Sequence, residues 1–464
     1  MTQVTTPKGS VTYSYYANGL RQGMTVAGQP ALAYTYDAGD RLTRIDQAAG
    51  AANNNVAQNV SFTYDAAGRR LRTTYMNGVT RENSYDDGGQ LMAITYKNPD
   101  GSTLGDLAYT YDDGGRRTGV TGSLARTALP DALPNANVDA ANRLTVSGPQ
   151  SLTYDANGNL TGDGSQTYVW NARDQLVQIR AANDAVIASF TYDALGRRQT
   201  KTVGGVASGY VYDGANIVQE LAGSEGNKAD PIRVKANYIA GGIDEVFAQQ
   251  GGSGTGATTL MYLTDALWST VRLVDAAGAK VVDYTYDPYG NTSADAAVDN
   301  PFQYTGREND GTGLYYYRAR HYSPKLARFI SSDPIGINGG INTYAYVSGN
   351  PLSRIDPFGL DWFRSLSDQS SPYVVGRSGN FFVPPGGLVS KAIEHCVPAG
   401  RTFGELHDTK VDDLSSKGVP DWRANIPTMP ETYWEAIKQE GGKSMQQLQD
   451  NLLKLSNISL PGRR

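Results

Sequence analysis

Phe62-Thr63-Tyr64-Asp65-Ala66-Ala67-Gly68-Arg69-Arg70 is the stretch that decides the fold of this chain. Aromatic and β-branched residues alternate up to Tyr64, a pattern that sends successive side chains to opposite faces of a sheet. Asp65 and Gly68 then supply a side-chain acceptor for turn amides and a residue tolerant of positive φ, which is what a tight hairpin needs. The reading is strand, turn, strand. The frame returns as Phe190-Thr191-Tyr192-Asp193-Ala194-Leu195-Gly196-Arg197-Arg198. Tyr-Asp itself stands at Tyr36, Tyr64, Tyr85, Tyr111, Tyr154, Tyr192, Tyr212 and Tyr286, with degenerate copies at Val138-Asp139 and Trp170-Asn171. Self-similarity on this scale marks a repeat architecture. A lone hairpin leaves its edges unpaired, so the units are expected to stack edge to edge into a mainly β hairpin array, a curled shell over residues 1–300. Turn chemistry accounts for each repeat Asp. The competing functional reading is a carbohydrate-binding array in which rows of exposed Tyr stack on sugars.

The chain has 464 residues, more than one hydrophobic core accommodates, so more than one unit is expected. Lys and Arg number 41 against 46 Asp and Glu, a net charge of −5, which gives no electrostatic case for nucleic-acid binding by the whole chain. The single cysteine, Cys396, excludes an internal disulfide framework, and no Cys/His spacing suggests a metal site. Residues 1–19 lack a basic and an apolar region, and no apolar run reaches the length of a membrane span. No signal peptide and no transmembrane helix are therefore expected. Export would require dedicated machinery or an upstream region.

From residue 284 the pattern changes. The chain reads Tyr-Thr-Tyr-Asp-Pro-Tyr-Gly-Asn (284–291), Phe-Gln-Tyr-Thr-Gly-Arg-Glu-Asn-Asp (302–310) and Gly-Leu-Tyr-Tyr-Tyr-Arg-Ala-Arg-His-Tyr-Ser-Pro (313–324). It continues as Arg-Phe-Ile-Ser-Ser-Asp-Pro-Ile-Gly (328–336), Asn-Thr-Tyr-Ala-Tyr-Val-Ser-Gly-Asn-Pro (342–351) and Asp-Pro-Phe-Gly-Leu (356–360). With the repeats before it, this succession resembles the core-associated segment of RHS/YD-repeat polymorphic toxins, also found in the C component of insecticidal toxin complexes. Beyond Leu360 the composition shifts: two of 30 tyrosines, Tyr373 and Tyr433, lie there, but three of five tryptophans do. Three parts are expected: a shell (1–300), a processing segment (301–360) and a C-terminal domain (361–464).

Two Asp-Pro-x-Gly units, at 333–336 and 356–359, flank the end of the shell. Residue physics alone reads them as turns, since Asp accepts amide hydrogen bonds and Pro presets φ. The resemblance implies more. In RHS proteins with this double motif the chain is cut after the Leu that ends the second unit, and both aspartates are implicated. Carried over, Asp333 and Asp356 are the reacting pair and Leu360-Asp361 is the scissile bond. Two carboxyls held close cannot both ionise, so one remains an acid while the other activates water. Arg318, Arg320 and Arg328 are nearby cations, and Arg328 is taken as the candidate orienter. Such a site turns over once.

The resemblance makes residues 361–464 a toxin freed by the cut, the chain an antibacterial effector, and its home outside the producer: secreted and delivered into a target cell, by type VI secretion or as part of an insecticidal complex. It implies a cognate immunity protein, and a secretion spike or adaptor reached through an upstream region. Family shells generally hold more repeats, so on this reading the chain is a fragment or its cavity is incomplete. Thr402, Thr428 and Ser444 each fit a capping box, so helices are expected at about 387–396, 402–416, 429–439 and 444–456, a mainly α domain. Equal numbers of cations and anions in this part, 12 each, do not favour nucleic acid as its partner. His407 and Asp408, with Asp412 one turn on, are the candidate base and orienter of a hydrolase; His395 and Cys396 end the preceding helix. A surface helix explains the same pair structurally. The amphipathic stripe Met445, Leu448, Leu452, Leu453 and Leu455 supports the alternative of a membrane-disrupting or pore-forming tail. A non-toxic structural or adhesive repeat protein is the third reading, and any cofactor is unknown.

Overall fold

The structure is a computed structural model, which describes residues 2–132, 135–223, 233–251 and 258–364. All of these belong to the first of two compact units, Met1–Val374; the second, Val375–Arg464, lies outside the described residues. The α-helices expected after residue 386, with His395, Cys396, His407, Asp408 and Asp412, therefore also lie outside them. Residues 361–364 continue the first unit beyond the boundary expected at Leu360, since Ile355 pairs with Phe363 and Arg354 with Arg364.

Mainly β is correct for everything described. Eleven strands, from Gln3–Thr6 to Arg117–Thr121, form one antiparallel sheet in which every neighbour in space is a neighbour in sequence. Three strands across 137–151 follow, then fourteen more in the same sequential order from Thr153–Tyr154 to Thr292–Ala294. Among the described residues the helical pieces are short 3₁₀ turns such as Tyr304–Gly306 and Gly336–Gly339.

The repeat frame explains how one hairpin recognises the next. Asp65 Oδ1 accepts the Arg69 amide at 2.8 Å, and Oδ2 accepts Arg69 Nε at 2.6 Å, closing the turn. Arg69 then lies over the ring of Tyr85 in the following hairpin, 4.7 Å from its centroid, and donates to the Asp86 carbonyl. In return the Tyr85 hydroxyl donates back to the Arg70 carbonyl. Arg41, Tyr64 and Leu42 repeat the arrangement one hairpin earlier, and Arg197, Tyr212 and Arg198 repeat it later. Tyr64, Tyr85 and Tyr212 thus have their hydroxyls tied to backbone and a ring face covered by Arg, and none of the eight repeat tyrosines is exposed, which speaks against rows of exposed Tyr stacking on sugars.

Alternation buries one face of the first sheet. Val11, Ile45, Val60, Ile94 and Leu107 pack with Val211, Ile239, Met261 and Leu263 of the fourteen-stranded sheet in one core. The opposite side chains of those same strands, Tyr210, Tyr238 and Tyr262, pack against Phe302, Tyr304, Tyr317 and Tyr322, which follow the sheet in the chain. Strands from Val206 to Tyr286 are therefore covered on both faces, and their burial runs continuously where the earlier strands alternate. Residues of the expected processing segment, 301–360, pack onto the shell sheet.

Candidate active site

A tight hairpin places the cation of the site. Tyr317 pairs with Arg320 across a reversal in which Arg318 takes φ 58°, and the strand Arg320–Ser323 runs on from it. Side chains alternate along that strand. Arg320 faces the turns at 333 and 356, whereas His321 faces Phe190 and Tyr316, where burial pushes its imidazole down to about 4 and keeps it neutral.

Arg320 is buried and held by backbone. Nε donates to the Gly359 carbonyl, Nη1 donates to the Thr343 carbonyl at 2.8 Å, and Phe329 lies 3.6 Å beneath the guanidinium. Nη2 is left for the carboxyls: 2.9 Å from Asp333 Oδ2 and 3.5 Å from Asp356 Oδ2. The structure thus brings the two predicted aspartates together, 23 residues apart in sequence, on a single cation.

Each aspartate is fixed by its own turn. Asp333 Oδ1 accepts the Ile335 amide at 2.9 Å, and Asp333 donates its own amide to Thr343. Asp356 Oδ1 accepts the Leu360 amide at 3.0 Å, the same acceptance from four residues on that closes the repeat turns at Asp37, Asp65, Asp86, Asp112, Asp155, Asp193 and Asp287. Position four of this turn is Leu, with no side-chain donor, so Asp356 Oδ2 remains for Arg320. The turn closes through Gly359 at φ 67°, where a Cβ would stand 2.5 Å from the Tyr317 carbonyl; only glycine fits. A third Asp-Pro-x-Gly unit, at 287–290, shows the contrast, because Asn291 Nδ2 occupies Asp287 Oδ2 at 2.6 Å.

One buried cation does not neutralise two buried carboxylates. Burial is the largest influence on both, and it outweighs the pull of Arg320: Asp333 is raised to about 6 and Asp356 to about 7. Burial likewise lowers the Arg320 guanidinium from its ordinary value. Between pH about 6 and about 7 the pair therefore holds one proton, chiefly on Asp356. The bond it would act on is close: Leu360 and Asp361 are 8% and 7% exposed, and Asp361 adds to the charge around Asp333.

Arg328 is not brought to this cluster. Its guanidinium donates to the Asn142 carbonyl at 3.0 Å and lies over Tyr344, so the orienting position expected for Arg328 belongs to Arg320. Arg318 supports the second turn instead, donating to the Pro357 carbonyl while paired with Asp244. The sequence offered three arginines and the expectation fell on Arg328; the strand's alternation and the hairpin before it bring Arg320 to the pair instead.

The sheets, the hairpin repeat and the clamp between hairpins define a YD-shell. The Teneurin YD-shell family model matches residues 51–343. That is more than half of the chain, and the chain belongs to this family, more particularly to its RHS/YD-repeat polymorphic toxins. It is 32% identical over 281 residues to the tRNA3(Ser)-specific nuclease WapA of Bacillus spizizenii, covering 58% of this chain and 11% of that protein. It is 28% identical over 372 residues to the double-stranded DNA deaminase toxin A of Burkholderia cenocepacia, covering 71% and 25%. The chain therefore spans a quarter or less of the length of these relatives. In a solved structure of the Photorhabdus luminescens Tc holotoxin pore, one chain matches with a TM-score of 0.62 at 21% identity, over 76% of this chain and 21% of that one. At that identity the likeness is one of fold.

Proposed function

We propose that this chain is a self-processing RHS effector that hydrolyses its own Leu360-Asp361 bond and thereby frees a C-terminal toxin. The observation that carries the reading is the convergence of Asp333 and Asp356 on Arg320 beside that bond. The protonated member of the pair donates to the Leu360 carbonyl oxygen, and the ionised member takes a proton from the attacking water. Asp356, the higher-titrating member, is the donor, and Asp333, closer to Arg320, is the base. Water oxygen bonds to the Leu360 carbonyl carbon, the carbon–nitrogen bond breaks, and the nitrogen leaves as the α-amine of Asp361 once protonated. Arg320 fixes the Gly359 carbonyl, and Asp356 fixes the Leu360 amide, so the strand cannot turn away. The event happens once per chain.

The freed part acts as a hydrolase through His407 and Asp408, with His395 as a further candidate. The names of the relatives, a tRNA nuclease and a DNA deaminase, make nucleic acid the first class of target to assay, although the part carries no net charge. A cognate immunity protein is the partner that a toxin of this kind requires in its producer.

Intact mass tests the cut. The wild-type chain should give two fragments parted at Leu360-Asp361, while Asp333→Asn and Asp356→Asn should each stay at 49.8 kDa. Cutting should be fastest where the pair holds one proton, between pH about 6 and about 7. A single full-length species in all three proteins overturns the reading. Toxicity on expression in bacteria, lost in His407→Ala with the cut intact, tests the hydrolase; toxicity that persists in that variant returns the tail to membrane disruption.

A further inference from the structure

We propose that Gly339 is a positioning residue of the cut, because the absence of a side chain there lets the Asp333 carboxyl and the scissile Leu360 carbonyl meet. The proposal rests on the self-cleavage reading and says what brings its two reacting groups together. A Cβ on Gly339 would stand 2.4 Å from Asp333 Oδ2 and 2.8 Å from the Leu360 carbonyl oxygen. Both oxygens thus converge on the one spot that a side chain would fill.

Backbone conformation does not explain this glycine. Gly336 and Gly340, in the same loop, take φ of 60° and 135°, values that L residues rarely adopt, and a Cβ on Gly336 would meet nothing within 4 Å. Gly339 ends the 3₁₀ turn Gly336–Gly339 without a left-handed φ. An alanine is therefore compatible with the backbone and incompatible with the site. Ile337 and Ile341, on either side, are 80% and 85% exposed, so the loop contributes little burial of its own.

Neither oxygen can retreat cheaply. Asp333 is pinned at Oδ1 by the Ile335 amide and at Oδ2 by Arg320. Leu360 is pinned by its amide on Asp356 and by the grip of Arg320 on the preceding carbonyl. A methyl group at 339 must push the carboxyl and the carbonyl apart by about 1 Å, a displacement that costs a reaction about 100-fold in rate.

Cell-free translation of the full chain, followed by intact mass over time from pH 5 to 8, tests this. Gly339→Ala should cut about 100-fold more slowly than wild type, and Asn338→Ala, one residue away in the same turn, should cut like wild type. The residual cutting of Gly339→Ala should also need a higher pH on its acidic side, because Asp333 pushed off Arg320 loses the cation that favours its charged form. Thermal unfolding of Gly339→Ala and its parent, both carrying Asp356→Asn so that neither cuts, controls for folding. Cutting at the wild-type rate in Gly339→Ala overturns the proposal alone. A lower unfolding midpoint with an unmoved pH profile also overturns it, since the glycine would then serve folding only. An uncut wild-type chain overturns both this proposal and the reading beneath it.

Discussion

In the turn at Asp65, Oδ1 accepts the amide four residues on at 2.8 Å, and Oδ2 accepts the side chain of that same residue, Arg69. In the turn at Asp356, Oδ1 accepts the amide four residues on at 3.0 Å, but that residue is Leu360, and Oδ2 faces an arginine from another strand. The backbone device is common to both; the titration is opposite. At Asp65 burial raises the carboxyl, yet the Arg69 hydrogen bonds outweigh it and hold the group below its ordinary value. At Asp356 burial wins, because Arg320 stands 3.5 Å away and is shared with Asp333. The structural aspartate and the one proposed to react differ here in who occupies the second oxygen and in access to water. Asp287, with its second oxygen on Asn291, falls on the structural side despite sharing the Asp-Pro-x-Gly motif.

The sharpest way to break this comparison is to give the reactive turn the repeat's own clamp. Leu360→Arg should bring a private cation to Asp356 Oδ2, lower its carboxyl, and slow cutting on the order of 100-fold; Leu360→Met should cut within a few-fold of wild type. Intact mass over time reads both, and equal rates would show that the second oxygen's partner is not what matters. A smaller effect is expected on stability. Asp356 titrates higher in the folded chain, about 7, than its ordinary 3.8, so between those values the folded state binds the extra proton. Its contribution is fully present below the ordinary value and is lost as pH rises through about 7. With Asp333→Asn in both proteins to prevent cutting, adding Asp356→Asn should therefore stabilise by on the order of 1–3 kcal/mol at pH 8 and by nothing below pH about 4, as urea unfolding would measure. The smallest effect belongs to a repeat turn. Asp65→Ala should cost about 1 kcal/mol of stability and leave the cutting rate alone, because its hydrogen bonds are local and its ion pair half-exposed.

The hairpins were legible because everything that makes them lies within five residues: alternation up to Tyr64, an acceptor at Asp65, a positive φ at Gly68, a clamp at Arg69. The aspartate pair was legible only through the resemblance, since as bare sequence both motifs read as turns. Arg320 was visible but was passed over for Arg328, because its position depends on which face of a four-residue strand meets two turns that lie 13 and 36 residues further on. Gly339 left no sequence signal of its own: a glycine in a Gly-rich loop reads as a turn residue, and what it avoids is an oxygen 21 residues away. Continuous burial from Val206 onward was missed for a similar reason, since the second face is covered by a segment that follows the sheet.

The clamp that joins hairpins reaches one unit back and one unit forward, and no further. Arg69 knows Tyr85, and Tyr85 knows the carbonyl of Arg70; neither has any contact that reports how many hairpins come before or after. Such a joint behaves like the coupling between railway carriages: it fixes spacing and orientation locally and leaves the length of the train free. Duplicating or deleting a hairpin would leave the joint itself unchanged and would instead fall on the packing of its buried face against the fourteen-stranded sheet.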